Sequence, residues 1–198
     1  NTTMTINRKK FFDTIRVSLF NGAISQAQVL GMDAILREWE SNTSYKDIRW
    51  LAYMLATTYH ETAKTMQPIE EYGKGKGRDY GKKLKMSRVA YKLPNQIYYG
   101  RGFVQLTWYE NYDKMGRLLY IDLLNNPSFA LDLKYATKIM FEGMTKGDSM
   151  IGDFTGKCLE MYFNNKVDDP INARRIINGT DKARLIAGYH NKFLTALK

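Results

Sequence analysis

Trp50-Leu51-Ala52-Tyr53-Met54-Leu55-Ala56-Thr57-Thr58-Tyr59-His60-Glu61-Thr62 is the stretch on which the fold turns. Leu51, Met54, Leu55 and Thr58 recur at helical spacing and define one face, and the same period carried three or four places further reaches Glu61 and Thr62. The spacing predicts a helix from Ile48 to Thr62, with Ser44 and Asp47 as its start signal. Pro68 lacks a backbone donor and disfavours helix at Gln67, so the helix has to end before it and the chain has to turn. A carboxylate held on or beside a core-facing stripe, as Glu61 is in this pattern, is partly desolvated, an environment that suits a general acid.

Nine residues beyond Glu61 comes Glu70, in Pro68-Ile69-Glu70-Glu71-Tyr72-Gly73. Two carboxylates in different environments are the minimum equipment of a glycosidase. An unbroken helix would set Glu61 and Glu70 about 13.5 Å apart along its axis, and a turn brings them closer. Inverting glycosidases need about 6.5 to 9.5 Å between carboxyl groups and retaining ones about 5 to 5.5 Å; the sequence leaves this distance open. It also leaves open Glu70 against Glu71, since neighbours in an extended stretch face opposite ways and only one of them faces a cleft. Glu70 is the favoured one.

Elsewhere the pattern is mostly helical. Ser25 with Gln28 reads as a capping box, followed by Val29, Met32, Ile35, Leu36 and Trp39, which predicts a helix over about residues 26–40. Leu133, Ala136, Ile139, Met140 and Met144 predict another. Asp169 before Pro170 reads as the cap and first residue of a third, ending near Asn178-Gly179, and Leu185, Tyr189 and Phe193 mark a last one after Asp181. Ile97 to Trp108 is rich in β-formers broken by Gly100 and Gly102, a short strand or an extended cleft wall. The glycines at 73, 75, 77 and 81 read as a flexible loop; the Walker spacing is absent, which argues against a phosphate cradle. The economical reading is a mainly α protein with a minor extended region. Residues 1–198 then form a single catalytic domain, with residues 1–20 at its periphery and no separate binding module.

Composition narrows the functional classes. With 198 residues and 44% hydrophobic content the chain can bury a sizeable core. Its net charge of +10 is concentrated: residues 73–92 carry Lys74, Lys76, Arg78, Lys82, Lys83, Lys85, Arg88 and Lys92 against Asp79 alone. Such a field favours encounters with polyanions. Cys158 is the sole cysteine, so no intramolecular disulfide forms. The longest apolar-leaning run, Trp50 to Tyr59, falls far short of the roughly 20 residues of a membrane span. Asn1 to Phe12 has basic residues but no apolar core behind them, so no signal peptide is evident. His60-Glu61-Thr62-Ala63-Lys64 does not match His-Glu-x-x-His, which argues against a zinc hydrolase.

His60-Glu61-Thr62, Tyr98-Tyr99-Gly100-Arg101-Gly102-Phe103-Val104-Gln105-Leu106-Thr107 and Ile176-Ile177-Asn178-Gly179, in that order, resemble the signature set of glycoside hydrolase family 19. The resemblance runs from about Trp50 to the C-terminus and is strongest to the bacteriophage endolysin branch. There the second glutamate follows the first within a Pro-Ile-Glu-Glu-Tyr-Gly-like stretch, whereas plant chitinases place it in a cysteine-bearing region this chain lacks.

The resemblance implies a lysozyme-like, two-lobed globule with a substrate cleft. It implies cleavage of β-1,4 bonds with inversion, Glu61 as general acid, Glu70 as general base, and Thr107, where plant enzymes carry serine, positioning the attacking water. Gln105, Asn111 and Asn178 would offer amides to the sugar. Tyr72, Tyr98, Tyr99 and Trp108 are candidates to stack on sugar faces. Arg101 is a structural candidate, an internal partner for a carboxylate. No metal or organic cofactor is implied. Chitin and peptidoglycan glycan strands are the family's substrates, and the local charge favours peptidoglycan and other anionic envelope polymers, bound through residues 73–92, over neutral chitin. The expectation is a monomer that binds no nucleic acid, resides in the host bacterial cytoplasm before lysis, and then acts on the cell wall.

Overall fold

The computed structural model describes residues 5–42, 44–92, 95–146 and 154–198. Among them lie six α-helices, α1 (Arg8–Ser18), α2 (Gln26–Ser41), α3 (Ile48–Glu61), α4 (Tyr109–Leu119), α5 (Leu133–Thr145) and α6 (Ala183–Leu197). The minor extended region is two two-residue strands, β1 (Ile69–Glu70) and β2 (Arg101–Gly102), paired antiparallel with Glu70 opposite Arg101. The fold class is therefore mainly α, as the sequence pattern indicates.

α3 is the central element. Leu51 to Tyr59 are buried without interruption, so the helix is wrapped on all sides and not on the one face its spacing suggests. Its threonines fit this dry setting because each hydroxyl donates one turn back: Thr57 to the Tyr53 carbonyl, Thr58 to Met54 and Thr62 to Thr58, at 2.9, 2.9 and 2.7 Å. α6 makes the broadest contact with α3, and α2 and α5 pack around it. α6 turns Ile186, His190 and Phe193 inward: Phe193 is buried as expected, but Ile186 and His190 take the core positions expected of Leu185 and Tyr189, and Leu185 is left exposed.

Helix ends show local chemistry at work. Ser25 and Gln28 form the reciprocal capping box at the start of α2. α3 is capped by Asp47, which accepts from the Arg49 backbone N–H; Ser44 is not the cap. The far end of α3 is set well before Pro68. Lys64 N–H bonds the Tyr59 carbonyl at 2.8 Å and Ala63 N–H bonds that of His60 at 3.2 Å, a Schellman closure with Ala63 at φ 50° in the place glycine usually takes. Glu61 is thus the last helical residue, with Thr62 as C-cap.

Two expectations are corrected here. Residues 8–18 are not peripheral: α1 packs on α6 with Phe11 and Ile15 fully buried, while residues 1–4 lie outside the described set. The helix expected from Asp169 to about Asn178 is only a 3-10 turn, Asn172–Ile176. The Asp169 carboxylate ties the Asn172 N–H and side-chain amide, tightening the chain into i+3 turns.

Candidate active site

Glu61, at the end of α3, opens onto a cavity of about 390 Å³ whose wall also includes Gln105, Thr107, Trp108, Asn111, Asn178, Tyr80 and Met86. Segments far apart in sequence meet there because β1–β2 pairing folds the chain after α3 back on itself, and the tight return from Arg101 to Leu106 follows. The return is held by Gln105, whose amide donates to the carbonyls of Ile69 (2.9 Å) and Gly102 (3.1 Å). Gln105 (φ 57°) and Trp108 (φ 79°) both occupy the left-handed half of backbone space, so the cleft wall stores strain of about 1–3 kcal/mol at each residue.

Glu61 has a partner that the sequence pattern did not disclose. Arg174 Nη1 lies 2.7 Å from Glu61 Oε1, although the N–H does not line up as a hydrogen bond. Arg174 is only 2% exposed, and its Nε donates to the Asp181 carbonyl at 2.8 Å. A buried guanidinium of this kind fixes the carboxylate at the cavity mouth. Burial lowers the pKa of His60, Arg174 lowers it further while Glu61 works against both, and the imidazole tends to the neutral form.

The two neighbouring glutamates have unlike surroundings. Glu71 is internal: Oε1 accepts from the Tyr80 hydroxyl (2.7 Å) and the Gly100 N–H (3.1 Å), and Oε2 from the Gly75 N–H (2.9 Å). Burial, with the bond to Glu71, pushes the Tyr80 phenol up to about 12, which keeps it a donor. Glu70 stands on β1 outside the cavity wall, and among the described residues its carboxylate meets Lys74 Nζ at 3.5 Å.

The sequence model of the family described as chitinase class I matches residues 31–148. The chain belongs to glycoside hydrolase family 19. An endochitinase of Arabidopsis thaliana is 32% identical over 121 residues, 59% of this chain and 40% of that protein. Endochitinase 1 of Theobroma cacao and inactive chitinase-like protein 1 of Hevea brasiliensis are each 56% identical over 34 residues, 17% of this chain and 11% of theirs. The chain thus spans well under two thirds of the length of these relatives. Among solved structures, a bacterial family 19 chitinase matches 98% of this chain and 95% of its own, with a TM-score of 0.60 and 22% identity. Chitinase C from Streptomyces griseus matches 98% and 76%, with a TM-score of 0.59 and 19% identity. These two likenesses establish the shared helical, lysozyme-like family 19 fold.

Within that family 19 fold, Glu61, Gln105, Thr107, Asn111 and Asn178 line one cavity, while Glu70 is held on the adjoining strand. Tyr98 and Tyr99 are corrected. Tyr98 is fully buried with its hydroxyl donating to the Leu124 carbonyl at 2.6 Å, and Tyr99 is 8% exposed beneath the Arg101 guanidinium, 3.7 Å from its ring centre. Neither presents a face to sugar. Arg101 is internal, as expected, but among the described residues its contacts are the Ile97 carbonyl, the Tyr112 hydroxyl and the Tyr99 ring, not a carboxylate. Thr107 donates to the Gln105 carbonyl at 2.8 Å, which leaves its oxygen to accept rather than to bridge water and carboxylate. The glycine-rich loop is a hydrogen-bonded run of turns anchored on Glu71, with Gly75 and Gly81 so close that a Cβ on Gly81 would lie 2.0 Å from the Gly75 carbonyl oxygen.

Proposed function

We propose that this chain is an endolysin-type hydrolase of the β-1,4 bonds in peptidoglycan glycan strands, working by single displacement with inversion. Glu61 protonates the leaving oxygen while Glu70 takes a proton from water on the opposite face of the sugar. Thr107 accepts from that water. The amides of Asn111 and Asn178 read hydroxyl and N-acetyl groups, and Gln105, whose N–H groups are engaged by Ile69 and Gly102, offers its amide oxygen.

The observation that carries the reading is the meeting of Glu61 with a hydroxyl and three amides in a single cavity at the end of a buried helix. Glu70 is preferred to Glu71 as base because Glu71 is engaged by three internal donors, and Glu70 is still 35% exposed. The charge supports an anionic polymer over neutral chitin. The basic 73–92 segment contributes Tyr80 and Met86 to the cavity, and its Lys74, Lys76, Arg78, Lys82, Lys83, Arg88 and Lys92 are exposed. In this setting the enzyme is a monomer made in the host cytoplasm that reaches the wall once the membrane is opened.

Mass spectrometry of soluble products from purified peptidoglycan in water enriched in heavy oxygen tests this. Labelled glycan fragments are expected from the native chain and not from Glu61→Gln, and their reducing-end sugar identifies the bond. Cleavage of a chitin oligomer alone would make the chain a chitinase; silence on both would make it a binding module.

A further inference from the structure

Eight of the chain's basic residues fall in 73–92, and one of them is packed against a residue of the cleft wall. Arg88 sits at the left-handed end of a turn, φ 70°, closed by its own N–H to the Lys85 carbonyl at 2.8 Å. The turn is latched to the start of α4: the Glu110 carboxylate accepts from the Met86 N–H at 2.8 and 3.1 Å, and Lys85 Nζ lies 4.8 Å over the Tyr109 ring. Its guanidinium carbon lies 5.0 Å over the ring of Trp108, which, like Met86, lines the Glu61 cavity. Stacking on the indole and the bond from Nη1 to the Met86 carbonyl, 2.9 Å, limit the side chain's freedom before any ligand arrives. Asp79 is a weak internal counter-ion, 3.4 Å from Nε and shared with Lys82. The side chain is still 56% exposed, so a further acceptor can reach it.

We infer that Arg88 is a specificity-determining residue, its guanidinium taking a carboxylate borne by the substrate at the edge of the cleft. The inference rests on the peptidoglycan reading above and deepens it: the enzyme distinguishes acid-bearing glycan from neutral glycan by a charge-assisted contact made beside Trp108. A planar, stacked fork of donors suits a carboxylate better than the single ammonium groups of the lysines around it.

The test is steady-state kinetics of the native chain, Arg88→Gln, Arg88→Lys and, as a remote charge control on α6, Lys192→Gln. Substrates are soluble peptidoglycan strands with free carboxylates, the same strands with the carboxylates amidated, and a neutral N-acetylglucosamine oligomer. For Arg88→Gln the expected result is a KM on the free-acid strands raised about ten-fold with kcat changed less than three-fold, a matching loss when native enzyme meets amidated strands, and partial recovery in Arg88→Lys. Equal losses for Arg88→Gln and Lys192→Gln, or equal losses on free-acid and amidated strands, would overturn the role of Arg88 while leaving a peptidoglycan hydrolase. Turnover of the neutral oligomer alone by native enzyme would overturn both.

Discussion

Arg174 and Glu61 form an ion pair of 2.7 Å in which the arginine is almost wholly withdrawn from solvent. α3 presents the carboxylate, and the 3-10 turn at Asn172–Ile176 supplies the cation from a segment more than a hundred residues away. Removing the charge of either member leaves the other uncompensated, and the cost grows with the burial of the group left behind. Arg174→Ala is expected to lose about 3–5 kcal/mol of stability in urea unfolding and more than a hundred-fold in turnover; Glu61→Gln, which leaves the buried guanidinium without its counter-ion, is expected to lose all turnover with a stability loss of similar size.

Glu70 and Glu71 are adjacent yet predict opposite phenotypes. Glu71→Ala would strand the Tyr80 hydroxyl and two backbone N–H groups, each orphan costing about 1–3 kcal/mol, and should unfold the 71–81 turns. Glu70→Gln, half-exposed beside Lys74, should leave the urea midpoint within about 0.5 kcal/mol of native and abolish turnover. Comparing unfolding curves with rates for the two variants checks this; a stable, inactive Glu71→Gln beside an active Glu70→Gln would reverse the assignment.

His190 makes stability depend on pH. It lies in the core against Phe163 and Tyr53, and burial lowers its pKa from 6.5 to about 4, with Asp168 opposing and Arg49 assisting. The unfolded chain therefore binds the proton first: stability is full above pH 6.5 and falls as pH drops toward 4. Across pH 7 to 4.5 this contributes a loss of about 2 kcal/mol. His190→Phe should flatten the pH dependence of the urea midpoint by that amount.

Gly31 lies mid-helix in α2, where alanine would ordinarily add about 1 kcal/mol of helix stability. Here a Cβ would fall 1.7 Å from the Met66 carbonyl oxygen, on the loop that follows Glu61. Gly31→Ala should instead destabilise by more than about 2 kcal/mol and reduce turnover by shifting the end of α3, measurable by thermal melting and rate together.

Much of the helical scaffold is legible in sequence because it follows from spacing and caps. The Ser25–Gln28 box and the Met32, Ile35, Leu36, Trp39 stripe locate α2 to within a residue of its observed end. α1 carried the same signals, an Asn7 cap and the Phe11–Ile15 pair, and was missed because the basic residues around them masked the stripe. α4 hid behind Gly116, which costs propensity but allows the Ile121 carbonyl to approach. The end of α3 is read to within a residue, Thr62 against Glu61, although alanine, not glycine, takes the left-handed cap.

At the candidate site, motif and chemistry single out Glu61, Gln105, Asn111 and Asn178, and the fold places all four on the wall of one cavity. Arg174 was not, because pairing across more than a hundred residues leaves no local pattern. Tyr98 and Tyr99 were misplaced because an aromatic ring that stacks on sugar and one that fills a core are the same residue type; only burial separates them.

Proton NMR of the first product formed from a cleavable glycan, followed before mutarotation, tests the paired roles of Glu61 and Glu70 most directly. The α-anomer from native enzyme, with neither Glu61→Gln nor Glu70→Gln forming product above background, is the expected result. A β-anomer, or undiminished turnover by either variant, would contradict the inverting pair.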